Sequence, residues 1–304
     1  MVYTQIASNK RRTALLITFF LVLIIALGWV FSQYFQSPTL LPIAVIFSAV
    51  MSLGSYFYSD KIVLAMSHAK EVKRTDDLEL YRTVENLSIA AGLPTPKIYL
   101  IDDSAPNAFA TGRDPQHAVL CITSGLREKL NKQELEGVIG HELSHVGNYD
   151  IRLSTIIVVL VGIVTLLSDW MLRATFFGGR RKNNGNGEAG AIFMIIGLVL
   201  AILSPIAATL IQLAISRKRE YLADASGALL TRYPEGLASA LKKIAADQEP
   251  LEAANKATAH LYIVNPFKSN LSTGNALTGI ARLFDTHPPI QERIKRLEEM
   301  NILG

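Results

Sequence analysis

The chain has 304 residues, of which 50% are hydrophobic and only 18% charged, a balance that points towards a membrane protein. Its formal net charge of +4 and isoelectric point of about 9.1 suit an anionic surface. No basic run interleaves with aromatic residues as a nucleic-acid groove requires, so no nucleic-acid partner is expected. The one cysteine, Cys121 in "AVLCITS", excludes an internal disulfide framework and a thiolate metal cluster, and reads as a small buried apolar residue.

Residues 13–59 carry no charge and divide at "QYFQSPTLLP" into two apolar halves, each about as long as a bilayer span. They predict a transmembrane hairpin over residues 1–59, with the lipid bilayer as its partner. Lys10, Arg11 and Arg12 precede it and Lys61, Lys70, Lys73 and Arg74 follow it, which places both flanks, and so the N-terminus, in the cytoplasm. Trp29, Tyr34 and Phe35 near one end of the spans, and Tyr56 and Tyr58 near the other, suit interfacial aromatic belts. A cleaved signal peptide is the competing reading of the first half, but no small-residue cleavage site stands at "SQYFQSP" and another span follows at once.

Residues 60–152 read as the first part of a polar domain. "TDDLELYRTVENLSIAAGLPTP" has helical spacing and a Gly-Leu-Pro stop, and "KIYLIDD" and "HAVLCITSGL" read as short strands separated by "APNAFATGRDP". In "NKQELEGVIGHELSHVGNYD", Asn131 and Glu134 have the spacing of a capping box at the start of a helix that runs through both histidines, with Asn148 and Asp150 ending it.

A second apolar hairpin is predicted over residues 153–216. Its first run, 153–168, is marginal for a span, its second, 189–216, is long enough, and the loop between them is "FFGGRRKNNGNGE". Pro205 marks a kink or a break in the second. Residues 217–304, the second part of the polar domain, are helical in pattern, with breaks at "TRYPEG", "NPFKSN" and "DTHPP". The fold class expected is α+β, mainly helical.

"VIGHELSHVG", residues 138–147, carries the chemistry. His141 and His145 are four apart, on one face of a helix one turn apart, and can present two imidazole nitrogens to one ion. Glu142 lies beside that face, where its carboxylate can act as a general base on water. Val138, Ile139, Leu143 and Val146 supply the apolar surroundings that favour a base working near neutral pH.

Zinc hydrolysis needs a third protein ligand, and no third histidine stands just downstream. "SRKREYLADASG" offers Glu220 as that ligand and, one turn on, Asp224 to accept the outer N–H of a liganding histidine. Arg217, Lys218, Arg219 and Glu220 read equally well as a charged face capping a membrane span, and this stretch alone does not choose. If His141, His145 and Glu220 share one ion, they lie on one side of the membrane, so the chain between them crosses it an even number of times.

"GHELSHVGNYD", "REYLADASGALL", "PNAFATGR" and "DTHPPIQERI", in an arrangement with two apolar hairpins, resemble the HtpX-type membrane zinc metalloproteases, relatives of the CaaX prenyl endopeptidases. The resemblance covers nearly the whole chain. It implies a gluzincin-like core facing the cytosol, one Zn2+ held by His141, His145 and Glu220, Glu142 as base and Asp224 behind the ligands. It also implies misfolded or damaged membrane proteins as substrates, in stress quality control at the cytoplasmic (inner) membrane. "NAFATG" looks like the family's segment beside the cleft, where Asn107, Ala108 and Phe109 would pair with an extended substrate by strand addition. "THPP" places His287 where the family stabilises an oxyanion, although its spacing alone reads as a turn histidine. His68, His117 and His260 sit in no ligand pattern. Two competing functions are a membrane scaffold that holds zinc and cleaves nothing, and a prenyl-protein processing protease. The glutamate beside the ligand face argues against the first, and the span count against the second.

Overall fold

The computed structural model describes residues 2–34, 36–162, 216–254, 258–264, 266 and 288–302. Two long helices, α1 (Val2–Tyr34) and α2 (Leu40–Met66), open the chain and pack against each other. Pro42 is accommodated in the first turn of α2, where a backbone N–H has no intrahelical partner to lose. Among the described residues, α2 is the helix long and apolar enough to cross a membrane, over Leu41–Met66. Ile43, Ile46, Val50 and Leu53 form a stripe along it that is between 59% and 64% exposed, an apolar face that a water-soluble protein would bury.

The chain then forms a four-stranded sheet in the order β1-β2-β4-β3. β2 (Lys97–Ile101) and β4 (Val119–Thr123) pair in parallel, and β1 (Lys70–Glu71) and β3 (Ala108–Thr111) pair antiparallel at the two edges. The two central strands lie within the runs that the sequence marks as strands. The two edge strands were not among those runs, since β1 is two residues long and β3 is buried at all four positions, leaving no alternation to read. Cys121 is fully buried in β4, as expected of a small apolar residue.

Helix α3 (Leu78–Ala90) starts where Asp77 accepts the Leu80 N–H, and Gly92, at φ +66°, follows it in the left-handed conformation that ends helices. After the short α4 (Ser124–Lys129) comes α5 (Lys132–Gly147), which begins with a complete capping box. Asn131 accepts the Glu134 N–H at 3.0 Å, and the Glu134 carboxylate accepts the Asn131 N–H at 2.8 Å.

The second hairpin read from the sequence is described only at its start. Residues 150–162 are a helix, α6, and residues 163–215 lie outside the described residues. Leu153, Ile156, Ile157, Val158 and Leu160 of α6 are all buried, in a core shared with Leu16 and Phe20 of α1, Val63 of α2 and Phe109 of β3. From residue 155 to residue 161 every position is buried, and α1 and α2 supply part of that cover.

Three further helices, α7 (Arg217–Thr231), α8 (Pro234–Ala246) and α9 (Ile290–Ile302), close over α5. Val138, Ile139 and Leu143 of α5 meet Ile98, Leu120 and Ile122 of the sheet and Leu237, Leu241 and Leu297 of α8 and α9 in a second core. α5 is thus held between the sheet and the C-terminal helices.

Candidate metal centre

α5 carries His141, Glu142 and His145, and α7 crosses it to bring Glu220 and Asp224 alongside. The crossing is set by glycines. A Cβ on Gly227 of α7 would lie 2.8 Å from the His141 backbone nitrogen, and one on Gly140 would lie 3.2 Å from the Gly227 carbonyl oxygen. The two backbones touch because neither residue has a side chain.

At this crossing His141 Nε2 lies 3.2 Å from His145 Nε2 and 3.8 Å from Glu220 Oε2, and His145 Nε2 lies 3.6 Å from Glu220 Oε1. One donor atom from each of the three residues falls within 4.8 Å of the others. Atoms so gathered could hold one metal ion.

The outer nitrogens explain why the inner ones converge. His141 Nδ1 sits 2.9 Å from Asp224 Oδ1, and His145 Nδ1 sits 3.0 Å from Asp150 Oδ2. Each carboxylate accepts a hydrogen bond from an Nδ1–H, which fixes the ring plane and turns Nε2 towards the site.

Arg293 of α9, fully buried, spans Asp224 with two bonds, Nε to Oδ2 at 2.9 Å and an Nη2 to Oδ1 at 2.7 Å, and donates to the Ile263 carbonyl at 2.8 Å. The guanidinium also approaches Glu220 at 3.9 Å.

Burial and these charges set the titration of the site. Burial above all, then the charges of Arg293 and His145, push His141 down to about 4 against the pull of Asp224. Burial works the other way on Glu142 and lifts it to about 7, with Glu220 adding to the rise. For His145 burial disfavours the charge, yet the Asp150 hydrogen bond and Glu220 prevail and raise it to about 9. Burial likewise opposes the charge on Asp224, but Arg293 holds it down at about 2.

Glu142 is 2% exposed. Asn107 is also buried. Its side-chain amide donates to the Val264 carbonyl at 3.0 Å, while its oxygen faces the Val264 N–H at 3.4 Å. The Ala108 carbonyl accepts from Ile263 N at 2.9 Å, and the Phe109 ring packs edge-on to Tyr262 at 4.9 Å. Residues 262–264 therefore engage all three positions expected to meet substrate. His287 lies outside the described residues.

Two residues with direct roles here escaped the sequence reading. Asp150 was expected to end the active-site helix. Instead Tyr149, at φ +60°, turns the chain and Asp150 opens α6 with its carboxylate returned to His145. Arg293 sits on the stripe Ile290, Arg293, Ile294, Leu297, whose helical spacing makes it an interior face. A cation on such a stripe needs a buried partner, and that signal was readable.

Two imidazoles and a carboxylate on crossing helices, beside a buried glutamate, define a metallopeptidase centre. Residues 74–301 match peptidase family M48, and the chain belongs to that family. Proteins named "Protease HtpX homolog" align along almost its entire length. That of Dictyoglomus turgidum is 47% identical over 300 residues, covering 98% of this chain and 94% of its own. That of Lactobacillus acidophilus is 46% identical over 310 residues, covering 99% and 100%. The fold is similar to that in the crystal structure of S. mikatae Ste24p, with a TM-score of 0.50 at 21% identity, over 97% of this chain and 67% of that one. The protein is a metalloprotease.

Proposed function

We propose that the chain is a zinc-dependent endopeptidase of the cytoplasmic (inner) membrane that hydrolyses peptide bonds in misfolded or damaged membrane proteins, as part of stress quality control. The convergence of His141 Nε2, His145 Nε2 and a Glu220 oxygen within 4.8 Å carries the reading. A set of two imidazoles and one carboxylate suits zinc and leaves a fourth position open.

Zinc held by His141, His145 and Glu220 would supply a Lewis acid for the peptide carbonyl and a lowered pKa for water. Glu142 takes the proton of the attacking water and passes it to the leaving amine, a task matched by a carboxyl pushed up to about 7. Asp224 and Asp150 keep both Nε2 atoms turned inward. His287 donates to the oxyanion that develops on the carbonyl. The substrate backbone aligns along the outer edge of β3 at Asn107, Ala108 and Phe109, displacing the Ile263 contact.

α1 and α2 form a transmembrane hairpin and residues 153–216 a second one. Both leave the catalytic parts on the cytoplasmic side, an arrangement supported by Lys10, Arg11 and Arg12 in the N-terminal part of α1 and by Lys61, Lys70, Lys73 and Arg74 at and beyond the end of α2. A scaffold that holds zinc only structurally has no need of Glu142.

The full-length protein, stripped of metal and supplied with an unfolded membrane protein, should cleave it only after zinc is restored. Cleavage that persists in excess chelator contradicts the reading.

A further inference from the structure

We propose that Asn9, on the first helix, is a positioning residue of the metal centre, acting through Asp150 on His145. Its side chain is 1% exposed although it lies in the polar N-terminal part of α1, beside Lys10, Arg11 and Arg12. The amide nitrogen donates to Asp150 Oδ1 at 2.7 Å and to the Asn148 carbonyl at 3.0 Å, and the amide oxygen faces an Arg219 nitrogen at 3.4 Å. The other oxygen of Asp150 meets His145 Nδ1 at 3.0 Å. One carboxylate thus joins α1 to a metal ligand, with one oxygen for each.

Neighbouring contacts show that α1 grips this corner. The Lys10 ammonium stands 4.5 Å from the centre of the Tyr149 ring, Tyr149 being the residue whose left-handed backbone turns Asp150 towards His145. Arg219, one residue before Glu220, contributes a second charge to Asp150 at 3.4 Å.

A carboxylate behind a metal-binding histidine fixes the tautomer and the ring plane, and its own orientation depends on what binds its second oxygen. The Asn9 N–H is aimed at that oxygen. The catalytic domain therefore does not hold its metal site alone, because the helix that precedes it in the membrane supplies one of the bonds that aim a ligand.

The inference rests on the metal-site reading above. Its test is a chelator-competition titration of zinc into the full-length protein in lipid nanodiscs, together with the visible spectrum of the cobalt-loaded form. Asn9→Asp keeps the shape and removes the donor, and Asn9→Leu removes both polar atoms. The expected result is a fall in zinc affinity of about ten- to a hundredfold for each, with an altered cobalt spectrum. Thr13→Val is the control. Thr13 lies one turn on along α1, and its buried hydroxyl has no hydrogen-bond partner among the described residues, so the affinity of this variant should equal that of the wild type.

If Asn9→Leu does not accumulate as folded protein, the isosteric Asn9→Asp carries the comparison. Asp150→Asn combined with Asn9→Asp should bind no more weakly than Asp150→Asn alone, since Asn9 acts through Asp150. Unchanged affinity and spectrum in Asn9→Asp, or losses that add in the double variant, overturn the inference. Wild-type protein that binds neither zinc nor cobalt overturns it together with the metal-site reading.

Discussion

Arg293 binds both carboxylate oxygens of Asp224, at 2.9 and 2.7 Å, and both side chains are buried. This pair places α9 behind His141 of α5. Removing one partner leaves the other as an uncompensated charge, which costs about 3–5 kcal/mol in comparable buried pairs. Arg293→Met should lower the melting temperature, measured by intrinsic fluorescence in detergent. Arg293→Lys keeps the charge but loses the two-pronged geometry, and should reduce metal affinity about tenfold in a chelator titration.

Gly227 sets the distance between the helices that carry His141, His145 and Glu220. A methyl group there would meet the His141 backbone at 2.8 Å, and neither backbone can retreat as a flexible side chain would. Gly227→Ala should destabilise by about 1–3 kcal/mol and move Glu220 away from the histidines. Metal analysis of the purified variant should then find less than one bound ion per chain at concentrations that saturate the wild type.

Glu134 links the capping box of α5 to α8. It accepts from the Asn131 N–H, from Ser239 at 2.7 Å and from Lys243 at 2.7 Å. Burial works against its charge, yet Lys243, Ser239 and the Asn131 N–H hold its carboxyl below the ordinary 4.5. A depressed folded pKa adds stability that is fully present above 4.5 and is lost as pH falls through the lower folded value. Glu134→Gln should therefore cost about 1–2 kcal/mol near neutrality, and the gap to the wild type should close on acidification in a melting series.

Much of this architecture is legible in the amino-acid sequence, for physical reasons that differ along the chain. The capping box at Asn131 and the two histidines are local, since helix geometry alone converts their spacing into a shared face. β2 and β4 were legible because each is an apolar run bounded by turn residues. Asp150 was not, because its partnership with His145 depends on the left-handed Tyr149, a conformation that a non-glycine residue adopts here without announcing it. Arg293 and Asn9 contact the site from the two ends of the chain, and no spacing rule relates such positions. The engagement of Asn107 and Ala108 by residues 263 and 264 was not legible, because it depends on a return of the chain that no pattern encodes.

The central claim is that Glu142 acts on water beside a metal held by His141, His145 and Glu220, and Glu142→Gln tests it most directly. The variant should retain one zinc per chain by metal analysis, while its cleavage of an unfolded membrane protein falls by about a hundredfold or more. Zinc retained with cleavage unchanged would contradict the account.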